Sequence, residues 1–394
     1  MSSTHDPSAG IVHEVRWSEA IPCWLLFRAA AAAFSPTVIV LAALGAVAST
    51  AGWRLLDQLG LPDGRGVVTS ADELHLPAAA PGPMANPPAT PVSLAPSSRA
   101  VPWLGGLVDR LPTSIRHVLD LLAVPFLPSS SRGQMAGAAA RIGWFLLVWS
   151  IFGTAIARRV ALKLVGEDAP GLFGAIWFGT RKWVSAFNSV LFVLLGIAAL
   201  AAPGAILGLL MRTDLGLAFA GAVWPLVLLG AVVLAILAIG VAAGWPLMVA
   251  CVGVERGDSF QAISTAFSYL YQRPLHYAFY ALLACGVALP AIVAAGLFAD
   301  ATATLAMWAA SFGMGQDRTA AVLGGLATNA TDAGPWGVQA IRFWCRGLET
   351  LLASFGWGYG WAIVTAAYFL LRQSVDGTEL DEVVLDEPPG DAAA

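Results

Sequence analysis

The chain has 394 residues, of which 58% are hydrophobic and 12% are charged, and its formal net charge is −4. This composition predicts a membrane protein, although the length alone would accommodate two or three soluble domains. The negative charge and the lack of any run of lysines and arginines argue against a nucleic-acid partner. Lysine occurs only as Lys163 and Lys182, which also argues against a polybasic membrane anchor.

Six apolar segments are predicted to cross the membrane, because about 20 apolar residues span the ~30 Å hydrocarbon core of a bilayer. The first begins at Ser35-Pro36, a hydroxyl N-cap followed by proline at the first helical position. The fold class is therefore an all-α polytopic helical membrane protein with interfacial amphipathic helices. The predicted spans, in chain order, are 36–56, 135–157, 183–211, 215–254, 274–299 and 350–371.

Residues 1–35 are predicted to form a cytoplasmic N-terminus with an interfacial helix. The apolar run from 29 to 47 resembles the core of a signal peptide, and cleavage after 46–48 is an alternative. We interpret the run as a retained helix, because acidic Asp6, Glu14 and Glu19 precede it and no positively charged leader region is present.

Residues 57–134 form the one long polar stretch between spans and are predicted to be an extracytoplasmic loop. Its section 77–102 contains eight prolines and no apolar periodicity, which is typical of a flexible linker. Residues 112–127 are predicted to form an amphipathic helix on the membrane surface. Its apolar face would contain Ile115, Val118, Leu119 and Leu122, opposite Arg116, His117 and Asp120. Arg141, near one end of the second span, is expected to extend its stem to the interface.

The fourth span, 215–254, contains 40 residues without a charged side chain, which corresponds to ~60 Å of helix. Pro225 and Pro246 are candidate breaks, because proline removes a backbone donor and clashes with the preceding turn. We predict one crossing followed by a bent extension at 244–248. In the alternative, 215–254 crosses twice through an irregular turn inside the membrane, and the topology after it is inverted.

The orientation is predicted from the charges of the short loops. The segment 158–182 carries five positive residues, so the positive-inside rule places it in the cytoplasm together with the loop 255–273 and both termini. Residues 372–394 form a cytoplasmic tail that contains seven acidic residues after Arg372. These charges are opposite, so the tail is a candidate for weak docking on 158–182, and a freely solvated tail is the alternative.

A short motif precedes two of the spans. The pattern Phe-x-Ala-x-x-x-Ala-Phe-Ser occurs at 27–35 and 260–268, and a shorter relative begins at Phe173 before the third span. If the repeat is real, the membrane domain 135–371 and the first span form three units, each an interfacial helix plus a two-span hairpin. The copy at 260–268 is predicted to be capped by Asp258 or Ser259 and to pack through Phe260, Ile263, Phe267 and Leu270.

Three GxxxG spacings predict close packing of the spans, at 204–208, 240–244 and 356–360. Packing within the chain is the first interpretation, and a homo-oligomer face is the alternative. The lipid bilayer is the other predicted partner.

Three further segments support a family resemblance: 244–248 (Gly-Trp-Pro-Leu-Met), 272–277 (Gln-Arg-Pro-Leu-His-Tyr) and 370–379, which runs from Leu-Leu-Arg to Asp-Gly-Thr-Glu. They resemble landmarks of a bacterial family of uncharacterised multi-span inner-membrane proteins. The resemblance covers most of the chain outside the proline-rich loop. It implies an inner-membrane location and a span layout, and it transfers no functional residue because the family has no assigned activity.

No pattern of residues predicts a chemical site. The five histidines do not pair at metal-ligand spacing, the four cysteines form no CxxC, and the pair His117 and Asp120 is interpreted as a solvated surface pair. We therefore predict no catalytic, cofactor-binding or metal-binding residues, no cofactor and no enzyme activity. The centres of the third, fourth and fifth spans contain no charged residue, which argues against ion-coupled transport.

The function that fits these observations is an integral membrane scaffold or accessory subunit of unknown specific role. A protein partner would bind the cytoplasmic loops 158–182 and 255–273. The alternative is a channel or uncoupled transporter for a neutral or lipidic solute, which would use the glycine-rich fourth and sixth spans. A membrane-embedded enzyme is a third hypothesis.

Overall fold

The computed structural model describes residues 23–62, 113–126, 130–327 and 335–378. These residues form ten α-helices and one 3-10 turn, with no strand among them, so the all-α prediction is confirmed. The first 22 residues, the predicted proline-rich linker and the tail beyond residue 378 lie outside the described residues. The helices are α1 Trp24–Ala33, α2 Pro36–Gln58, α3 Thr113–Ala123, α4 Arg132–Val165, α5 Leu172–Leu210, α6 Asp214–Glu255, α7 Ser259–Gln272, α8 Pro274–Met314, α9 Gln316–Ala327 and α10 Trp336–Asp376.

Five helices are long and apolar enough to cross a membrane, namely α2, α4, α5, α6 and α8. Two of them begin at the proline where the sequence predicts a span to begin, Pro36 and Pro274. The sixth predicted span, 350–371, lies within α10, which is not one of the five. Glycines and aromatic residues lower the mean hydropathy of this part of α10, and most of its side chains are buried by other helices of the chain.

The fourth span is one unbroken helix of 42 residues, α6, with Pro225 and Pro246 inside it. Two crossings require a turn between Asp214 and Glu255, and the helix contains none, so the two-crossing alternative is wrong. Thr213 begins the helix, because its hydroxyl accepts a hydrogen bond from the amide of Gly216 at 3.1 Å. Only the three residues 211–213 connect α5 to α6.

The predicted repeat is only partly present. α1 precedes α2 and α7 precedes α8, and in both pairs a proline begins the long helix (Pro36 and Pro274). The prediction of a third copy is wrong. α5 runs unbroken from Leu172 through the segment that was expected to form a separate helix. Since that segment lacks the proline that ends a preceding helix, it continues into the span.

The structure divides into two compact units, one of residues 45–149 and a larger one of residues 1–44 and 150–394. In the smaller unit, Leu121 and Val124 pack on Ala138 of α4, with Trp53 and Ile142 beside them. α3 is helical as predicted, but its buried residue, Leu121, does not belong to the apolar face that the sequence predicts. Leu119 and Leu122, which were placed on its apolar face, are exposed.

Arg141 in the smaller unit is buried, since its side chain is only 1% exposed. It pairs with Asp57, donates to the carbonyl of Leu61 at 2.8 Å and donates to the carbonyl of Pro62 at 3.2 Å. The guanidinium therefore holds the C-terminal end of α2 and the residues that follow it. The carbonyls after a helix C-terminus carry partial negative charge, which favours a cation at this place.

We expect Arg141→Met to loosen the end of α2. Because Asp57 is largely exposed, the ion pair itself contributes little, and the loss comes from the charged hydrogen bonds to Leu61 and Pro62. Amide hydrogen exchange at residues 58–62 should become about tenfold faster, which corresponds to ~1.4 kcal/mol of local opening. Arg132→Met, at the exposed start of α4, is the matched control, and equal acceleration in both variants would contradict this role.

In the larger unit α10 is the central helix, and α1, α6, α7, α8 and α9 pack against it. Glycines allow the closest approaches. A Cβ atom at Gly253 of α6 would lie 2.7 Å from Cβ of Ala157 on α4, and one at Gly153 of α4 would lie 2.8 Å from the ring of Trp361 on α10. The helices therefore touch through small residues at these points.

The GxxxG predictions have mixed outcomes. Gly240 packs against the rings of Phe267 and Tyr271 on α7, which agrees with the predicted packing within the chain. The prediction of packing within the chain is wrong for the spacings 204–208 and 356–360, because a Cβ atom at any of their four glycines would meet open space. Within α10 the glycine in contact is Gly358, which approaches Val38 and Ala42 of α2.

Candidate functional site

Several helix ends meet at one end of the larger unit, which we call the junction end. α6 and α10 finish there, α5 begins there, and α7 lies between α6 and α8. Lys182 Nζ of α5 donates to the carbonyl of Arg256 at 2.5 Å, and Arg158 Nη1 of α4 donates to the carbonyl of Val254 at 3.3 Å. The segments 158–182 and 255–273 are therefore in direct contact, although they are distant in the sequence.

The segment 158–182 was predicted as a loop, and this is wrong for most of its length. α4 continues to Val165 and α5 begins at Leu172, so only residues 166–171 connect them. Two of its five cations reach the carbonyls at the C-terminus of α6, where the helix dipole is negative. Arg158 and Arg256 also lie over the ring of Phe178, at 5.3 and 5.8 Å from its centroid.

The central group of the junction end is the Glu255 carboxylate, which ties three helices together. Its Oε1 accepts from Tyr368 Oη at 2.5 Å and pairs with Arg372 Nε at 3.2 Å, both on α10. Its Oε2 accepts from Gln261 Nε2 of α7 at 2.8 Å. The Glu255 and Arg372 side chains are both mostly buried, so water screens their interaction less than it would at the surface. We call Glu255, Gln261, Tyr368 and Arg372 the Glu255 cluster.

A second polar contact lies beside this cluster. Tyr269 of α7 is 1% exposed, its hydroxyl donates to the Asp376 carboxylate, and its ring lies 5.5 Å from that of Tyr368. Burial, together with the hydrogen bond to Asp376, raises the pKa of Tyr269 well above its ordinary value. Asp376 is the first acidic residue of the tail that was predicted to dock on the segment 158–182. In the structure its carboxylate instead accepts a hydrogen bond from Tyr269 of α7. The other tail residues in the docking hypothesis lie outside the described part of the chain.

The raised pKa of Tyr269 predicts a loss of stability at alkaline pH. The folded protein keeps the phenol proton above pH ~10, where the unfolded chain releases it, so the contribution is complete below pH ~10 and decreases as the pH rises further. We expect Tyr269→Phe to lose less stability than the wild type between about pH 9 and about pH 11 in detergent thermal unfolding. An identical alkaline decrease in wild type and Tyr269→Phe would contradict the prediction.

α7 is capped as predicted, but the face that it buries overlaps the predicted stripe only in part, at Leu270 and at Phe267, which contacts Gly240. The Asp258 carboxylate accepts from the amide of Gln261 at 2.8 Å. The side chains that face the neighbouring helices are Ala262, Ala266 and Tyr269 with Leu270, whereas Phe260 is 70% exposed. Of the predicted stripe, Leu270 alone is almost wholly buried.

The junction residues could not be found from motifs. Glu255 lies 113 residues before Tyr368 and still further from Arg372, so no local motif joins the two parts of the cluster. Two weak signals in the sequence point to this region. Charged residues follow the ends of apolar spans, and Asp258 is a helix cap. No group of three histidine, cysteine or acidic side chains that could hold a metal occurs in the described ranges.

The fold is that of an all-α, multi-pass membrane protein with a polar junction at one end of its helices. No protein-family model, curated protein or solved structure matches this chain.

Proposed function

We propose that the chain is a non-enzymatic integral membrane scaffold or accessory subunit whose protein partner binds the segments 158–182 and 255–273. One observation carries the proposal. These segments are held together by their own hydrogen bonds, yet each leaves large apolar side chains uncovered: Phe173 and Trp177 are 85% and 66% exposed, and Phe260 is 70% exposed. Exposed aromatic side chains on a rigid support are typical anchors of protein interfaces.

The channel alternative has less support. A path between the two glycine-rich helices α6 and α10 would pass Trp245 and Trp361, whose rings pack edge to face with centroids 5.6 Å apart. Trp361 also packs against Gly153 of α4. Large rings between close-packed helices favour a solid helical body over a conduit.

Site-specific photocrosslinking tests the proposal in intact membranes. A photoreactive residue replaces Phe173 or Phe260, and the control replaces Leu305, which is also exposed but lies about 45 Å along α8 from Pro274. We expect the first two positions, and not position 305, to crosslink to the same protein. Crosslinks to lipid only, or equal protein crosslinks from all three positions, would overturn the scaffold function.

The proposed location is the inner membrane of a bacterium, with both termini and the junction end in the cytoplasm. The positive residues of 158–182 support this orientation, and the resemblance of 244–248, 272–277 and 370–379 to an inner-membrane family supports the location.

Single-cysteine labelling of intact cells tests the orientation. We expect cysteines placed at Ser93 and Ala320 to react with a membrane-impermeant reagent, and one placed at Ala392 to react only after lysis. The protein without its four native cysteines is the background. Labelling of position 392 from outside would show that the C-terminus is not cytoplasmic.

A further inference from the structure

α1 is apolar on both faces, although only one face is covered by the chain. Leu25, Leu26, Ala29 and Ala33 are buried, and the helix packs against α10 and α8. The opposite face exposes Trp24 and Phe27, with their rings 5.6 Å apart. Aromatic side chains of this kind favour the boundary between headgroups and acyl chains.

A cleft with two cations lies between α1 and the end of α4. It has a volume of about 210 Å³ and is lined by Arg28, Ala31, Ala32, Lys163 and Leu164. Arg28 Nη2 donates to the carbonyl of Leu164 at 2.9 Å, which uses one of the five N–H donors of a guanidinium. Lys163 is exposed and carries three donors. The cleft therefore has more donors than the Leu164 carbonyl can accept from, and the residues that line it include no carboxylate.

The surroundings of the cleft add positive charge on one side. Arg159 lies one helical turn before Lys163 on α4 and donates to the carbonyl of Pro170. Its Nη2 lies 3.5 Å from the hydroxyl of Ser35, at the start of α2. Glu167 and Asp168 follow in the connection to α5 but are not among the residues that line the cleft.

We propose that this cleft binds the phosphate of an anionic phospholipid, with Arg28 and Lys163 as its ligands. Cationic side chains are the usual partners of phosphate oxygens, through charge-assisted hydrogen bonds. The uncovered aromatic face of α1 begins within one turn of Arg28, so it lies where the glycerol and upper acyl chains of a bound lipid would run. This apolar neighbour indicates a lipid headgroup as the source of the phosphate.

Native mass spectrometry of the full chain tests the site. The protein in detergent is mixed with equal amounts of phosphatidylglycerol and phosphatidylcholine, and the bound lipids are counted. We expect about tenfold preference for phosphatidylglycerol in the wild type. Arg28→Gln/Lys163→Gln should abolish the preference, and Arg28→Lys should retain it. Arg212→Gln/Arg318→Gln removes two exposed cations elsewhere and is the matched control.

Three results would overturn the proposal. The first is a wild type without any preference. The second is an equal loss of preference in both double variants. The third is displacement of phosphatidylglycerol by inorganic phosphate at the same concentration as the lipid, which would identify free phosphate as the ligand. If the double variant does not fold, Lys163→Gln alone decides the question, because it leaves the hydrogen bond from Arg28 to Leu164 intact and should still reduce the preference severalfold. Lipid counting does not depend on a protein partner, so its outcome is independent of the scaffold function.

Discussion

Gly253→Leu should destabilise the larger unit by about 3 kcal/mol, because it forces α4 and α6 apart. A Cβ atom at this position would lie 2.7 Å from Cβ of Ala157, 3.2 Å from the backbone nitrogen of Arg158 and 3.3 Å from the carbonyl oxygen of Thr154. Two of these three neighbours are backbone atoms, which cannot rotate away as the end of a side chain can. Thermal or denaturant unfolding in detergent, followed by tryptophan fluorescence, measures the loss.

Gly230→Leu is the matched control for this prediction. It lies in the same helix, so the change in helix propensity is the same, but a Cβ atom there meets nothing within 4 Å. We expect its stability to equal or exceed that of the wild type. The contact between α4 and α6 would be unimportant for stability if the two variants unfolded at the same temperature.

Glu255→Ala should destabilise the protein by about 2–3 kcal/mol, because it leaves the Glu255 cluster without its acceptor. Arg372 would lose its ion pair while mostly buried, and the buried hydroxyl of Tyr368 would lose its carboxylate partner. Removing one member of a buried, hydrogen-bonded charge pair is more damaging than replacing both members with apolar groups. The free energy of unfolding in detergent is again the measurement.

A double-mutant cycle with Arg372→Met separates the pair from its surroundings. We expect the double variant Glu255→Ala/Arg372→Met to be less destabilised than the sum of the two single variants, because it leaves no unpaired charge. Glu349→Ala, an exposed carboxylate in the first half of α10, is the control and should be nearly neutral. Additive single variants would mean that Glu255 and Arg372 do not act as a pair.

The sequence by itself determined where several of the helices begin and turn. Pro36 and Pro274 begin long helices, Asp258 caps α7, and residues 211–213 turn α5 into α6, because proline, capping side chains and short polar connections act within a few residues. Length and hydropathy also determined the membrane-protein class, since only lipid accepts five helices of this apolar character. These properties are local or additive, and so they can be predicted without the fold.

Only the tertiary structure decided which side chains the helices bury. α7 buries Ala262 and Ala266 and exposes Phe260, and the glycine of α6 that meets α4 is Gly253, which lies outside the three GxxxG spacings from which close packing was predicted. In water the largest apolar stripe of a helix faces the core, because its exposure is unfavourable. For a helix that spans lipid, such as α6, that preference disappears, and the close approach that small residues permit decides the packing face. The partners of Glu255 and Arg141 lie on distant parts of the chain, so the buried polar contacts also depended on the fold.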